Sequence, residues 1–232
     1  MFCGRVLYGR RSLEIWQTDH MIDLLSRLAA AAPSAVMVVV FLIAWIDPGF
    51  FGAPYIKNLM LVMLFEFVVM HSSVMCNAIV AMTTSPLAVR LSLLLGLTAF
   101  YSCFVLAFAL AFHSWWPLWV FGYLFVCRFM YLVLPGDIER KLAGATKVWI
   151  ASALAYLGGA FLTLFVPLPR LGITPDVVAA MDMSKSMSGV WVDEPWILLA
   201  FGAIYFAAQA RAQYCFALDG RASRRTAQHS AR

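Results

Sequence analysis

Long apolar runs broken by proline and glycine recur along the whole of this chain. The run AVMVVVFLIAW stops at Asp47-Pro48-Gly49, and later runs stop at Thr83-Thr84-Ser85-Pro86, at Pro135-Gly136 and at Pro167. About 20 helical residues cross the hydrocarbon core of a bilayer, and Pro and Gly commonly end helices. An open sheet edge cannot be satisfied in lipid, so the runs read as helices. Composition points the same way. Of the 232 residues, 63% are hydrophobic and 12% charged, about half the charge of a soluble domain.

The expected fold is all-α: a polytopic integral membrane bundle of six transmembrane helices over about 34–46, 56–82, 87–112, 116–134, 147–166 and 195–216. Ahead of it, residues 1–33 form a cytoplasmic N-terminal segment. Leu13, Trp16, His20, Leu24 and Leu28 fall near one helical face there, so 12–28 reads as a helix lying along the membrane surface. Met21 offers a second start for the chain. The connection 167–194 is an outer loop, in which Thr174, Pro175 and Asp176 begin a short helix as N-cap and first turn. Residues 217–232 form a basic, disordered cytoplasmic tail.

Six crossings divide the basic residues unevenly. Arg5, Arg10, Arg11, Arg27, Arg90, Arg140, Lys141, Lys147, Arg211, Arg221, Arg224, Arg225 and Arg232 fall on one side, and Lys57, Arg170 and Lys185 on the other. Such an asymmetry places both termini in the cytoplasm, here of a bacterial inner membrane. It also explains the net charge of +5 without nucleic acid. The lipid bilayer, with anionic headgroups at the cytoplasmic side, is the expected partner, and other membrane subunits are candidates. Cys3, Cys76, Cys103, Cys127 and Cys215 form no CxxC pair, so neither a disulfide framework nor thiol redox chemistry is expected.

Within the second run, LFEFVVMHSSVMCN places Glu66 and His71 where lipid calls for hydrocarbon. A charge at the centre of a membrane helix costs about 2.5–3.5 kcal/mol on insertion scales. Glu66 is therefore expected to be neutral, paired or turned inward. Ser73 and Asn77 share its helical stripe, with interhelical hydrogen bonding as their simplest role. Arg128, in YLFVCRFMYLVLP, is the other deep charge. It lies at a depth that permits a pair with Glu66, or it snorkels to the headgroups. His71 sits about 140° around the helix from Glu66 and reads as a hydrogen-bonded histidine rather than a ligand. Glu66, Arg128, Ser73, Asn77 and His71 thus make up the expected buried polar centre, with no metal or cofactor.

Two enzyme families are excluded on their motifs. A rhomboid protease needs a GxSG serine within a span and a histidine on a later one. Here Ser188-Gly189 follows Met187 in a loop, and no later span holds a histidine. DGRASR at 219–224 is similar to the DGxxAR opening of CDP-alcohol phosphotransferases, but its spacing differs and the metal-holding aspartates do not follow. The expected function is passage of a solute or proton, or service as an accessory subunit of a membrane assembly. The alternative is an enzyme at the outer face, using Asp182, Asp193 and Glu194 beside His113.

Overall fold

The computed structural model describes residues 21–127, 146–181 and 188–216 in full, and the helical backbone of 3–20, 128–133 and 138–145. Among these residues the chain is an all-α bundle of eight helices: α1 (Cys3–Ile46), α2 (Ala53–Ala81), α3 (Leu87–Ala111), α4 (Trp116–Val133), α5 (Ile138–Phe165), α6 (Pro175–Ala180), α7 (Val190–Asp193) and α8 (Pro195–Phe216). Punctuation follows the sequence. Gly52, at φ +84, and Pro54 open α2, and Thr174 caps α6 by accepting from the Val177 amide at 3.4 Å.

The protein is an integral, multi-pass helical membrane protein, but the expected count of six spans is corrected to four. Only Met21–Ile46, Ala53–Ala81, Leu87–Ala111 and Thr146–Phe165 are long and apolar enough to cross a membrane among the described residues. In α4 the stretch described in full, Trp116–Cys127, is an apolar helix shorter than these four. Helix α8 fails for another reason. Gln209, Arg211 and Gln213 load its last turns with polar groups, and its apolar first half is spent on protein rather than lipid. Leu198, Leu199, Phe201 and Tyr205 are all fully buried, as in a core helix. The division of basic residues between two sides assumed six crossings; with four it assigns neither terminus to a side.

Helix α8 is the centre around which the bundle is built. It lies antiparallel to α1 and to α5. Gly202 faces Phe41 so closely that a Cβ there would enter the aromatic ring, and Phe41 packs on Phe206 at 5.5 Å between centroids. Farther along, Arg27 Nη1 donates to the Tyr214 carbonyl at 3.3 Å. Gly159 lets α5 approach Phe201 in the same way. Lipid is as apolar as a leucine side chain, so helices in a bilayer associate through van der Waals fit and hydrogen bonds rather than through the hydrophobic effect. Close approach at Gly159 and Gly202 supplies the first. Trp149 and Tyr156 supply the second, donating from α5 to the α2 carbonyls of Met70 at 2.9 Å and Met63 at 3.0 Å. Among the spans α2 is the most enclosed, with 44% of its most apolar stretch buried against 17% for those of Met21–Ile46 and Leu87–Ala111. The one span carrying a glutamate is thus the one farthest from lipid.

At the end of the bundle where α1 stops and α2 begins, the α5–α8 connection folds back as a strap. Trp45 Nε1 donates to the Pro169 carbonyl, and the Gly172 amide to the Trp45 carbonyl, each at 3.0 Å. Arg170 stacks over Trp196 at 4.5 Å. Ile173 and Met181 tuck beneath, 2% and 4% exposed.

At the opposite end, Arg90 holds the α2–α3 turn. Its guanidinium donates through Nη2 to the Val80 carbonyl at 2.7 Å and through Nε to the Ile79 carbonyl at 3.4 Å. The last carbonyls of a helix lack intrahelical donors and carry the negative end of its dipole, so a buried cation there is doubly favoured. Arg90→Met keeps the apolar stem and removes both bonds. It is expected to lower stability by about 2 kcal/mol and to fray the last turn of α2. Thermal unfolding in detergent, with amide exchange at Ala81 and Met82, checks this, and a wild-type profile in both would show the cap to be dispensable.

Candidate functional site

Glu66 is held roughly 20 Å along α2 from its first residue, at 1.5 Å per residue. Its partner is Tyr205 of α8, whose hydroxyl donates to Glu66 Oε2 at 3.0 Å. One turn on, Gln209 Nε2 donates to Tyr205 Oη at 3.2 Å. The Ser34 hydroxyl of α1 lies within reach of two amide oxygens, Gln209 Oε1 at 3.1 Å and Gln213 Oε1 at 2.9 Å. A line of hydrogen-bonding groups thus runs Glu66, Tyr205, Gln209, Ser34, Gln213 across three helices. It exists because Tyr205, Gln209 and Gln213 are spaced by four and fall on one face of α8, while Ser34, 4% exposed, is a hydroxyl in an otherwise apolar stretch of α1. Beyond Gln213 comes the Tyr214 carbonyl held by Arg27, which itself pairs with Asp23 at 3.0 Å.

An aromatic cluster encloses the carboxyl end of this line. Tyr156 of α5 meets Tyr205 edge to face at 5.3 Å, and Phe201 at 4.9 Å. On the α5 face between Trp149 and Tyr156 sits Ser152, whose buried hydroxyl has no hydrogen-bond partner. That sets it apart from Ser72, Ser92, Thr98 and Thr163, which all donate back to carbonyls of their own helices.

The other residues expected in the polar centre are placed as follows. His71 turns away: its Nδ1 meets the Phe67 carbonyl at 2.9 Å, and its ring lies 4.1 Å from that of Phe67. A carbonyl only accepts, so this contact places the proton on Nδ1. Ser73 faces a cavity of about 60 Å³ between α2, α3 and α4, together with Ser72, Cys76, Thr98 and Tyr101. The neighbours of α2 change along its length, so Glu66 meets α8 while Ser73, on nearly the same stripe, meets α3 and α4. Asn77, a turn further on, has contacts of its own. Arg128 lies outside the described residues, as does Asp182 of the outer-face group. Of that group, Asp193 ends α7, Glu194 caps it, and His113 occupies the α3–α4 turn at φ 51. Among the described residues no three His, Cys, Asp or Glu side chains gather as a metal would require.

Sequence reasoning passed over Tyr205, Gln209 and Gln213. The signal was there: YFAAQARAQ repeats a polar group every fourth residue from 205 to 213. A tyrosine in an apolar run otherwise looks like an interfacial anchor. No protein-family model, curated protein or solved structure matches the chain.

Proposed function

We propose that this membrane protein carries a proton, or a small solute coupled to one, with Glu66 as the group that loads and unloads. The hydrogen-bonded line from Glu66 to Gln213 carries the reading. Hydroxyls and amides tie membrane helices together at small cost, whereas a carboxyl in mid-span is expensive. What a carboxyl adds, and a glutamine would not, is a titratable proton. Amides do not themselves pass protons on. Gln209 and Gln213 instead line the α1–α8 seam along which a hydrated carrier would move, and the seam ends at the Asp23–Arg27 pair. On the strap side the way is closed by Ile56, Leu59, Ile173 and Leu198, all at most 2% exposed. Glu66 therefore communicates with one end of the bundle.

The accessory-subunit reading draws on a different observation. Trp149 and Tyr156 tie α2 to α5 with no titration required, and Glu66 with Tyr205 would be one more tie of the same kind. A bacterial inner membrane suits both readings, with the arginines at 221, 224, 225 and 232 meeting its anionic headgroups.

Proton flux in proteoliposomes of phosphatidylethanolamine and phosphatidylglycerol separates the two. Under a potassium-diffusion potential with a pH dye inside, wild-type protein is expected to dissipate the gradient. Glu66→Gln, with an unchanged melting profile, is expected to fall to the rate of protein-free vesicles. Wild-type flux no greater than that of empty vesicles would overturn proton transport and leave the accessory role.

A further inference from the structure

We infer that Ser34 is the turning point of a hydrogen-bond line that reverses direction when Glu66 changes protonation state, so that the α1–α8 seam reads the charge on α2. The inference rests on Glu66 being the titrating group proposed above.

The argument is one of counting donors. Ser34 has a single hydroxyl proton, yet its oxygen lies 3.1 Å from Gln209 Oε1 and 2.9 Å from Gln213 Oε1. It donates to one of them at a time. The other amide must then turn its NH2 toward Ser34, or two acceptors face each other inside the bundle. Tyr205 is limited in the same way, with one proton between Glu66 and Gln209.

These limits allow two fully ordered arrangements, one for each protonation state, with the proton of the neutral carboxyl on the oxygen that faces Tyr205. With Glu66 ionised, Tyr205 donates to the carboxylate, Gln209 Nε2 donates to Tyr205, Ser34 donates to Gln209 Oε1, and Gln213 turns to donate to Ser34. Every bond points toward the charge. With Glu66 protonated, the carboxyl donates to Tyr205 and the rest follows. Tyr205 donates to a turned Gln209 amide, that amide donates to Ser34, and Ser34 donates to Gln213 Oε1. Every bond points away. The two contacts made by Ser34 are the ones these arrangements use in turn. Leaving a single link unturned would set two donors or two acceptors against each other, so the links turn together.

The ionisable groups facing Glu66 are few. Tyr205 meets it from α8 and Tyr156 stands beside it on α5. On α3, Arg90 and Tyr101 lie further along α2, at its end and beside Cys76. On α2 itself His71 is occupied with Phe67. On α4, Arg128 lies outside the described residues. The line ends next to a charged pair, since Gln213 neighbours the Tyr214 carbonyl that Arg27 holds at 3.3 Å.

Infrared difference spectroscopy on the full chain in lipid, with carbon-13 in the glutamine side-chain carbonyls, tests the reversal across an acid titration. In the wild type a protonated-carboxyl band is expected to appear on acidification, with the labelled glutamine band shifting in step. Glu66→Gln should abolish both changes. Ser34→Ala should keep the carboxyl titration and lose about half of the glutamine change, since Gln213 is disconnected while Gln209 still turns. Ser34→Thr, which keeps the hydroxyl, should restore it. A carboxyl that titrates while the glutamines stay silent would overturn this inference alone, as would a glutamine shift that survives Glu66→Gln. The absence of any titrating carboxyl would remove the proposed transport function along with it.

Discussion

Gly202→Leu is expected to drive α1 off α8 and to leave little folded protein in detergent. Even a Cβ at this position would stand only 2.6 Å from Phe41 Cζ, and closer still to two other ring atoms. The ring cannot swing aside. It is 0% exposed and rests on Phe206 at 5.5 Å. Overpacking a close-packed site costs about 1–3 kcal/mol, sometimes more, and a leucine here adds four carbons against an immobile aromatic. In lipid the loss is not cushioned, because two helices pushed apart find acyl chains as good a solvent as each other. Gly158→Leu is the matched control. It lies on the neighbouring helix with nothing within 4 Å of a Cβ, and it should melt as wild type does. Combining Gly202→Leu with Phe41→Ala exchanges volume across the contact and should recover much of the loss, as coupled neighbours do. Fluorescence-detected size exclusion after a heating series reads all three. A wild-type melting point for Gly202→Leu alone would mean that α1 and α8 do not pack here.

That contact also shows where the sequence stops being legible. Apolar runs and their Pro and Gly boundaries locate helices well, because a helix end is decided locally, by a missing amide or a permitted φ. The runs at 87–112 and 195–216 lie within a residue of α3 and α8. Whether a helix spends its apolar surface on lipid or on protein is not local. The first half of α8, PWILLAFGAIYF, reads like any other membrane run, and only its enclosure by α1 and α5 shows it to be core. Gly202 gives no sign in the sequence of which ring it must admit. The site divides along the same line. That Glu66 must turn inward followed from the cost of a charge in lipid. Its meeting with Tyr205 depended on how α2 and α8 pack side by side, and residues 139 positions apart in the chain leave no periodic trace of each other.

Breaking the Glu66–Tyr205 contact from the tyrosine side is expected to cost far more than removing it whole. Tyr205→Phe deletes the donor to Glu66 and the acceptor of Gln209 Nε2 in one step. Glu66 then loses its donor, at about 1–3 kcal/mol, and the half-buried Gln209 loses its acceptor. The aromatic packing against Tyr156 and Phe206 is retained, so the loss belongs to the hydrogen bonds. Glu66→Leu strands only the Tyr205 hydroxyl while relieving the enclosure of a carboxyl, so it should change stability little. The double change leaves an apolar contact with Gln209 alone disconnected. Replacing a buried polar network by matched apolar groups is often neutral or stabilising, so more than half of the Tyr205→Phe loss should return. The expected coupling between the two positions lies within the usual 0.5–3 kcal/mol for residues in contact. Proton flux supplies the second axis. If Glu66 is there for its proton, the double variant should regain most of the wild-type stability and yet leave vesicles as tight as empty ones. Strict additivity of the two single changes would dissolve the contact as an energetic unit. Flux surviving in the stable double variant would show that the carboxyl was never what moved the proton.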